Sequence, residues 1–146
     1  MKTTARNQFK GTIEAIQSAG SGNDEIIIDI GCGLEIVAGI TQGNTRRLDL
    51  TVGQEVIALI KASWIILAVD SDDYDFSTRN QFSASITAIK AGAVNSEVVL
   101  KTIEGIEMTA IVENIGVAEM DLTIGKSVKT LFTAPHVLLA IPKVSQ

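Results

Sequence analysis

The sequence predicts an all-β protein with one short helix per unit, built as two tandem five-stranded barrels of the oligonucleotide/oligosaccharide-binding type. Three observations lead to this prediction. They are an internal repeat, five short segments rich in Ile and Val in each copy, and a polar stretch after the third segment that suits a short helix. A plain five-stranded sandwich is the competing architecture.

The repeat is recognised from a short motif near the N-terminus. Thr4–Phe9 returns as Ser77–Phe82, and the four letters Arg-Asn-Gln-Phe are unchanged. Asp49–Gly53 later matches Asp121–Gly125, after one residue is lost in an intervening turn, where repeated folds tolerate a change of length. We therefore predict a first unit over residues 1–70, a linker over 71–76 and a second unit over 77–146.

The elements of the first copy follow from its residue pattern. Runs of β-branched and apolar residues predict strands at 9–16, 25–30, 34–40, 55–61 and 65–69. Gly31-Cys32-Gly33 predicts a hairpin turn, and a short helical turn is expected within 41–50. In the second copy we expect Asn114 to cap the matching helix. In the linker we expect Tyr74 and Phe76 to dock onto a surface.

The composition indicates units that need support from other surfaces. The chain has 146 residues, of which 46% are apolar but only 4% aromatic. A repeat of about 70 residues buries only about 60% of the surface that its unfolded chain exposes. We therefore expect each unit to lean on its twin or on other chains.

The charge and the rare side chains exclude several classes of function. A net charge of −5 and few aromatic residues argue against a nucleic-acid-binding protein. The single Cys32 and the single His136 argue against a disulfide, a zinc site or a catalytic triad within one chain. We expect a soluble cytoplasmic protein that does not engage a membrane, because the sequence has no leader and no apolar run near 18 residues.

The first candidate for binding chemistry is the Arg-Asn pair at the head of each repeat. Arg6 and Arg79 carry planar, permanently charged forks of donors that suit an oxyanion. In an extended chain, residues two apart share a face, so Thr4 lies beside Arg6 and Ser77 beside Arg79. The amides of Asn7 and Asn80 add further donors. The alternative is structural: the arginines pair with carboxylates and the asparagines cap turns.

The second candidate is the bend Lys61-Ala62-Ser63 at the end of the fourth predicted strand. It combines an ammonium, a hydroxyl and backbone amides, and such a bend can act as an anion nest. The matching residues Thr133-Ala134-Pro135 lack the lysine, and proline has no N–H to donate. A plain polar strand end is the alternative.

The third candidate is the turn of small residues over 92–96. The small residues in the turn Gly92-Ala93-Val94-Asn95-Ser96 would let backbone amides approach a ligand or a symmetry axis. The first copy has Asn23 in a more flexible and more acidic turn. An ordinary hairpin turn is the alternative.

Taken together, these motifs resemble the molbindins, a family of small cytoplasmic molybdate-binding proteins built from tandem Mop units. The family pattern contains Ser-Ala-Arg-Asn, Lys-Ala-Ser and Gly-Ala-Val-Asn-Ala-Glu-Val. This sequence has Thr4-Ala5-Arg6-Asn7, Ser77-Thr78-Arg79-Asn80, Lys61-Ala62-Ser63 and Gly92-Ala93-Val94-Asn95-Ser96-Glu97-Val98. The resemblance covers nearly the whole chain as two units.

The resemblance implies a ligand, an assembly and a set of binding residues. The ligand would be molybdate, with tungstate also expected, and the assembly a homotrimer of two-unit chains that mimics a hexamer of single units. Sites would lie at interfaces between units. One kind of site would use Thr4, Arg6 and Asn7, or Ser77, Arg79 and Asn80, from one unit, with Lys61, Ala62 and Ser63, or Thr133 and Ala134, from a neighbouring unit. A second kind, near the threefold axis, would use Val94 and Asn95, and Asn23. Because Thr133 and Pro135 replace Lys and Ser, we expect fewer or weaker sites than the family pattern provides.

We therefore predict a cytoplasmic molybdate-binding protein, not an enzyme, that stores or buffers the anion. The alternative is a regulatory or protein-interaction module that takes the anion as its signal. A nucleic-acid-binding barrel is a third option, which the acidic charge disfavours.

Overall fold

The computed structural model describes residues 1–143, and most of its regular structure is strand. The strands are β1 (Asn7–Gly20), β2 (Asn23–Gly31), β3 (Leu34–Thr41), β4 (Glu55–Ile60), β5 (Ile66–Ala68), β6 (Asn80–Ala91), β7 (Asn95–Thr102), β8 (Glu107–Glu113), β9 (Ser127–Phe132) and β10 (Leu138–Ala140). The helices are α1 (Gln42–Arg47) and α2 (Asn114–Glu119), and short 3-10 turns span Ala62–Trp64 and Ala134–His136. The predicted all-β class, with five strands and one short helix per repeat, is confirmed.

The strands form two five-stranded sheets. Their orders are β10-β4-β1-β2-β3 and β5-β9-β6-β7-β8. The fifth strand of each repeat therefore stands at the edge of the sheet that holds the first four strands of the other repeat. The sequence did not indicate this arrangement.

The chain accordingly forms two compact units that mix the repeats. Unit I contains residues 1–7 and 61–132, and unit II contains residues 8–60 and the described residues from 133 onward. Each unit thus takes a closing segment from the other repeat. The repeat boundaries themselves, 1–70 and 77–146, stay a prediction about the sequence.

The long first strand of each repeat has a shift of pairing register at the same place. The pairing of β1 with β2 shifts register between Ile13 and Ala15, and that of β6 with β7 shifts between Ile86 and Ala88. A β-bulge adds one residue to one strand and increases the local twist. The duplication therefore extends to a backbone irregularity, with Glu14 and Thr87 as the extra residues.

The core of each unit is packed by the inward faces of its strands. In unit II, Ile13, Ile26, Ile28, Ile36 and Ile60 are at most 1% exposed. In unit I, the rings of Phe82 and Phe132 stack with centroids 5.8 Å apart. Aliphatic residues thus make up most of one core, and a stacked pair of rings supplements the other.

The turn between β2 and β3 agrees with its prediction. Cys32 has a φ of 56° and Gly33 a φ of 77°. Two positive φ angles in succession are typical of tight two-residue hairpin turns. The exposed Cys32 is therefore a turn residue.

The prediction for Asn114 was wrong, because Glu113 is the N-cap of α2 and Asn114 is the first helical residue. The Asn114 side chain instead donates to the carbonyl of Gly92 at 2.9 Å and lies 2.5 Å from the Ser96 hydroxyl. Asn114 thereby links the turn at residues 92–96 to helix α2. Local capping rules do not anticipate such a long-range contact.

The linker docks only in part. Phe76 is half-buried and its ring lies 5.8 Å from the Lys129 ammonium, whereas Tyr74 is 69% exposed. The docking predicted for Tyr74 was wrong. Among residues 1–143, no helix has the length and apolar character needed to span a membrane.

Candidate functional site

Asn7 is held by the backbone of strand β8. Its Nδ2 donates to the carbonyl of Thr109 at 2.9 Å, and its Oδ1 accepts from the Thr109 N–H at 2.8 Å. The side chain is only 3% exposed, so these bonds also satisfy a buried amide. Asn7 thereby fixes the chain at the residue that follows Arg6.

The guanidinium of Arg6 is held by a carboxylate on strand β7. Its Nη2 lies 2.6 Å from Glu97 Oε1, with side-chain exposures of 54% for Arg6 and 25% for Glu97. The structure therefore shows Arg6 paired with a carboxylate, which is the structural alternative stated for this arginine. The contact engages one terminal nitrogen of a fork that carries five N–H donors.

The bend at Lys61 forms a tight 3-10 turn. The Trp64 N–H donates to the Lys61 carbonyl at 3.0 Å, and the Ile65 N–H to the Ala62 carbonyl at 3.3 Å. Ala62 is buried, whereas Lys61, Ser63 and Trp64 are exposed. The Lys61 ammonium lies 6.0 Å from the centroid of the Trp64 ring, within the range of a cation–π contact.

The two candidate segments of the first repeat approach the same strand. Asn7 binds the backbone of β8, and the turn at Ala62–Trp64 packs against β8. Thr4, Arg6 and Asn7 thus belong to unit I together with Lys61, Ala62 and Ser63. Two cations and two hydroxyls from distant parts of the first repeat are gathered on one body.

The head of the second repeat is organised differently. The Thr78 hydroxyl donates to the Phe132 carbonyl at 2.7 Å and accepts from the Asn80 N–H at 3.2 Å. Asn80 is fully buried, while Ser77 and Arg79 are exposed. The first repeat has Ala5 where the second has Thr78, so this hydroxyl bridge exists in one copy only.

The turn at Ala134–His136 keeps the backbone of its counterpart and changes its chemistry. The N–H of His136 donates to the carbonyl of Thr133 at 3.1 Å, as in the first turn. The Thr133 hydroxyl lies 2.9 Å from His136 Nδ1, and Pro135 supplies no N–H. The turn packs against β3 in unit II, where a Cβ on Gly39 would meet the Pro135 nitrogen at 3.2 Å.

The small-residue turn is tied to helix α2. The Asn114 N–H donates to the Val94 carbonyl at 2.8 Å, and the Gly92 N–H to the Asn95 carbonyl at 2.8 Å. Val94 is 69% exposed and Asn95 is exposed. Asn23, at the matching turn, is exposed and belongs to unit II, whereas Val94 and Asn95 belong to unit I.

These groups can bind an anion by charge and by directed hydrogen bonds. Arg6 and Lys61 supply positive charge, and Thr4 and Ser63 supply exposed hydroxyls. Within the described residues, no cluster of three or more His, Cys, Asp or Glu side chains is arranged to hold a metal ion. The donor set therefore suits an oxyanion better than a cation.

Sequence reasoning missed two residues that shape this region. Glu97 contacts Arg6, and Trp64 contacts Lys61. For Glu97 a signal was present, because the repeat alignment retains a glutamate as Glu25 and Glu97. For Trp64 there was none, since the matching residue is His136.

Comparison with known sequences gives a consistent set of relatives. A family model described as the TOBE domain matches residues 3–67 and again residues 77–139. The "Molybdenum transport protein ModE" of Herbaspirillum seropedicae is 38% identical over 141 residues, which are 97% of this chain and 52% of that protein. The "Molybdenum-pterin-binding protein MopA" of Rhodobacter capsulatus is 32% identical over 142 residues, 97% of this chain and 53% of that protein. The chain thus spans about half the length of these curated relatives.

Comparison with solved structures gives a match over the whole length. A crystal structure of the cytoplasmic molybdate-binding protein ModG, with molybdate bound, superposes with a TM-score of 0.91 at 40% identity. The match covers 97% of this chain and 100% of that chain. The two chains therefore share their fold over nearly their whole length.

Proposed function

The chain belongs to the TOBE domain family, and from this premise we propose that it binds molybdate, and tungstate as well, as a cytoplasmic store of the anion. The observation that carries the proposal is the full-length similarity to the molybdate-bound ModG structure. The word cytoplasmic is taken from the description of that protein. The chain binds the anion without transforming it and is not an enzyme.

The donors of unit I support this proposal physically. Arg6 and Lys61 offer two positive charges to a dianion, in a chain whose net charge is −5. A hydrogen bond to a charged group contributes about 1.5–3 kcal/mol, so a few such bonds from side chains and backbone amides hold a small oxyanion. The exposure of Arg6 and Ser63 leaves room for a further surface to complete the site.

We assign the binding residues in two groups. The main sites use Thr4, Arg6, Asn7, Lys61, Ala62, Ser63, Ser77, Arg79, Asn80, Thr133 and Ala134. A second kind of site uses Asn23, Val94 and Asn95. Because Asn7 is engaged with Thr109, its contribution is to place Arg6 as much as to donate to the anion.

The proposed assembly is a homotrimer of two-repeat chains, in which the sites lie at interfaces between Mop units. Exposed apolar residues support association. Ile66 is 60% exposed and Leu138 64%, at matching positions of the two edge strands. Val52 and Ile124, also at matching positions, are 64% and 71% exposed. Large apolar side chains exposed at repeated positions are typical of surfaces that pack against other protein.

The experiment that tests the proposal is native mass spectrometry of the full chain with excess molybdate, with excess sulfate and without added anion. We expect a trimer that gains several molybdates and no sulfate. The variant carrying both Arg6→Ala and Arg79→Ala should keep its trimer mass and its circular dichroism but bind no molybdate at the main sites.

Two results would count against the proposal. A wild-type chain that gains no molybdate at millimolar concentration is not a molybdate store. A double arginine variant that binds as many molybdates as the wild type would remove the assigned residues from the site and leave the ligand in place.

A further inference from the structure

Arg6 is one of the exposed cations of the proposed site, and within residues 1–143 its head group forms an ion pair with Glu97. Arginine has a long side chain with many rotamers, and ordering it opposes binding. Two contacts limit that freedom here. Asn7 fixes the backbone to Thr109, and Glu97 Oε1 holds Nη2 at 2.6 Å.

The position of Glu97 in the sheet suits a residue that holds the Arg6 guanidinium in place. It lies within β7, between β6 and β8, where it is paired with Lys90 on one side and Ile111 on the other. Its side chain is 25% exposed, so it is more shielded from water than the guanidinium that it holds. A strand residue between two partners moves less than the chain before β1, and it can therefore set the position of Arg6.

A carboxylate beside an anion site also carries a cost, because it repels the anion. Lys90 lies directly across the β6–β7 ladder from Glu97, and both line a groove of about 440 Å³ together with Gly92, Asn95 and Ser96. With Arg6, Lys90 and Glu97 counted together, the local charge is one positive unit. Lys90 therefore offsets the charge of Glu97 at this position.

The two repeats differ in the residue that lies opposite this glutamate and could offset its charge. Arg6 and Arg79 match, and Glu25 and Glu97 match, so arginine and glutamate are retained in both copies. The residue opposite Glu25 across the β1–β2 ladder is Gln17, whereas the residue opposite Glu97 is Lys90. The copies thus share the carboxylate and differ in the neighbouring cation.

We propose that Glu97 is a positioning residue that holds the Arg6 guanidinium ready for the oxyanion, and that Lys90 keeps this region attractive to a dianion. The inference deepens the proposed molybdate binding and rests on it for its functional part. The competing role for Glu97 is that of an internal anion that blocks Arg6. The two roles predict opposite effects of removing the carboxylate.

The first test is isothermal titration calorimetry of molybdate with the full chain. Positioning predicts that Glu97→Ala weakens the Kd about two- to fivefold, the size expected from a partly exposed ion pair. Glu97→Gln should recover part of the loss, because an amide oxygen still accepts from Arg6. Lys90→Gln should weaken binding at low salt and reduce its dependence on salt.

Matched controls separate positioning from a general effect of charge. Glu104→Gln removes a carboxylate from the exposed turn between β7 and β8 and should leave the Kd unchanged. In an Arg6→Ala background, Glu97→Ala should no longer weaken binding, because the positioning effect requires both residues. Tighter binding by Glu97→Ala would overturn the inference and establish the blocking role.

The second test does not depend on molybdate. In side-chain NMR, a restrained guanidinium gives separate signals for its two Nη groups, and a freely rotating one gives a single averaged signal. We expect restrained signals for Arg6 in the wild type and averaged signals in Glu97→Ala, with Arg46 unchanged in both. Restrained Arg6 signals in Glu97→Ala would refute positioning, and a wild type that binds no molybdate would refute the proposed function alone.

Discussion

At the scale of single residues, the Asn7 side chain forms hydrogen bonds with β8 of the kind that a neighbouring strand would form. Its amide makes the donor and acceptor pair with Thr109 that a backbone peptide would make along the edge of β8. The contact spans 102 positions of sequence and links the first repeat to strands of the second. A buried amide with both ends satisfied contributes to stability as well as to the placement of Arg6.

We therefore expect Asn7→Ala to lower the free energy of unfolding by about 2 kcal/mol, since two hydrogen bonds are lost at about 1 kcal/mol each. Urea denaturation followed by circular dichroism measures this change. Lys2→Ala, at an exposed position near the same end, is the control and should have no measurable effect. An equally stable Asn7→Ala chain would show that the contact contributes no net stability.

A second residue-scale effect lies at the bulge of β1. A hydrogen bond with Glu35 raises the pKa of Glu14 above its ordinary value of 4.5, and the charge of Glu35, burial and the charge of Asp29 raise it further. The folded state therefore favours the protonated acid more than the unfolded state does. This contribution to stability is full below the unfolded pKa and is lost as the pH rises through the higher folded value.

It follows that Glu14→Gln, which stays neutral, should be more stable than the wild type at pH 7 and should lose this advantage below pH of about 4. Thermal unfolding measured across that range tests the sign. Glu104→Gln controls for the change in net charge. A Glu14→Gln chain that is less stable than the wild type at pH 7 would contradict the repulsion between Glu14 and Glu35.

At the scale of elements, the two 3-10 turns share a backbone arrangement and differ in the side chains that they present. Both close with a hydrogen bond from the fourth residue to the first, at 3.0 Å for Trp64 to Lys61 and 3.1 Å for His136 to Thr133. The first turn presents an ammonium and a serine, while the second presents a hydroxyl bound to an imidazole and a proline. The two turns share their backbone path, so the difference lies in the side chains and in the N–H that Pro135 lacks.

Combining Thr133→Lys with Pro135→Ser should therefore give the second turn the donors of the first without altering the fold. We expect additional bound molybdate per trimer in native mass spectra, or a tighter second class of sites in calorimetry. Pro135→Ala restores only an N–H and should produce a smaller gain. Unchanged stoichiometry and affinity in the combined variant would show that the second turn lies outside any site.

The elements also show what the sequence could and could not predict. Runs such as Glu25–Ile30 alternate or bury their apolar residues locally, so their strands and the hairpin at Cys32 were predictable. Arg6 and Lys61 could also be listed from the sequence, because residue type alone gives their charge. The pairing of Arg6 with Glu97 and of Asn7 with Thr109 could not be predicted, because these contacts depend on which strand edges meet in three dimensions.

At the scale of the whole molecule, the pairing of the fifth strands, β5 and β10, was also not predictable from the sequence. The residues before each fifth strand match between repeats, so β4 and β9 offer similar edges to β5 and β10. A local pattern cannot distinguish pairing within a repeat from pairing between repeats. In the structure β10 pairs with β4 and β5 with β9, and each compact unit is closed by a strand from the other repeat.

This exchange makes the two repeats dependent on each other for folding. A fragment of residues 1–70 keeps β1 to β4 but lacks β10, which covers Ile57, Ala58 and Leu59 of β4. Its own β5 would have lost Thr130 and Leu131 as partners. An uncovered edge beside a buried face favours aggregation or pairing with a second copy.

We therefore predict that the 1–70 fragment is not a stable monomer, whereas the full chain unfolds in a cooperative transition. Light scattering coupled to gel filtration should detect exchanged oligomers or aggregates, and circular dichroism should show a broad melt wherever monomer persists. Adding the 77–146 fragment should restore a sharp transition, because it supplies β10 and takes up β5. A 1–70 fragment that is monomeric and melts sharply would mean that β5 can close its own sheet, and that the exchange is a choice between two arrangements of similar stability.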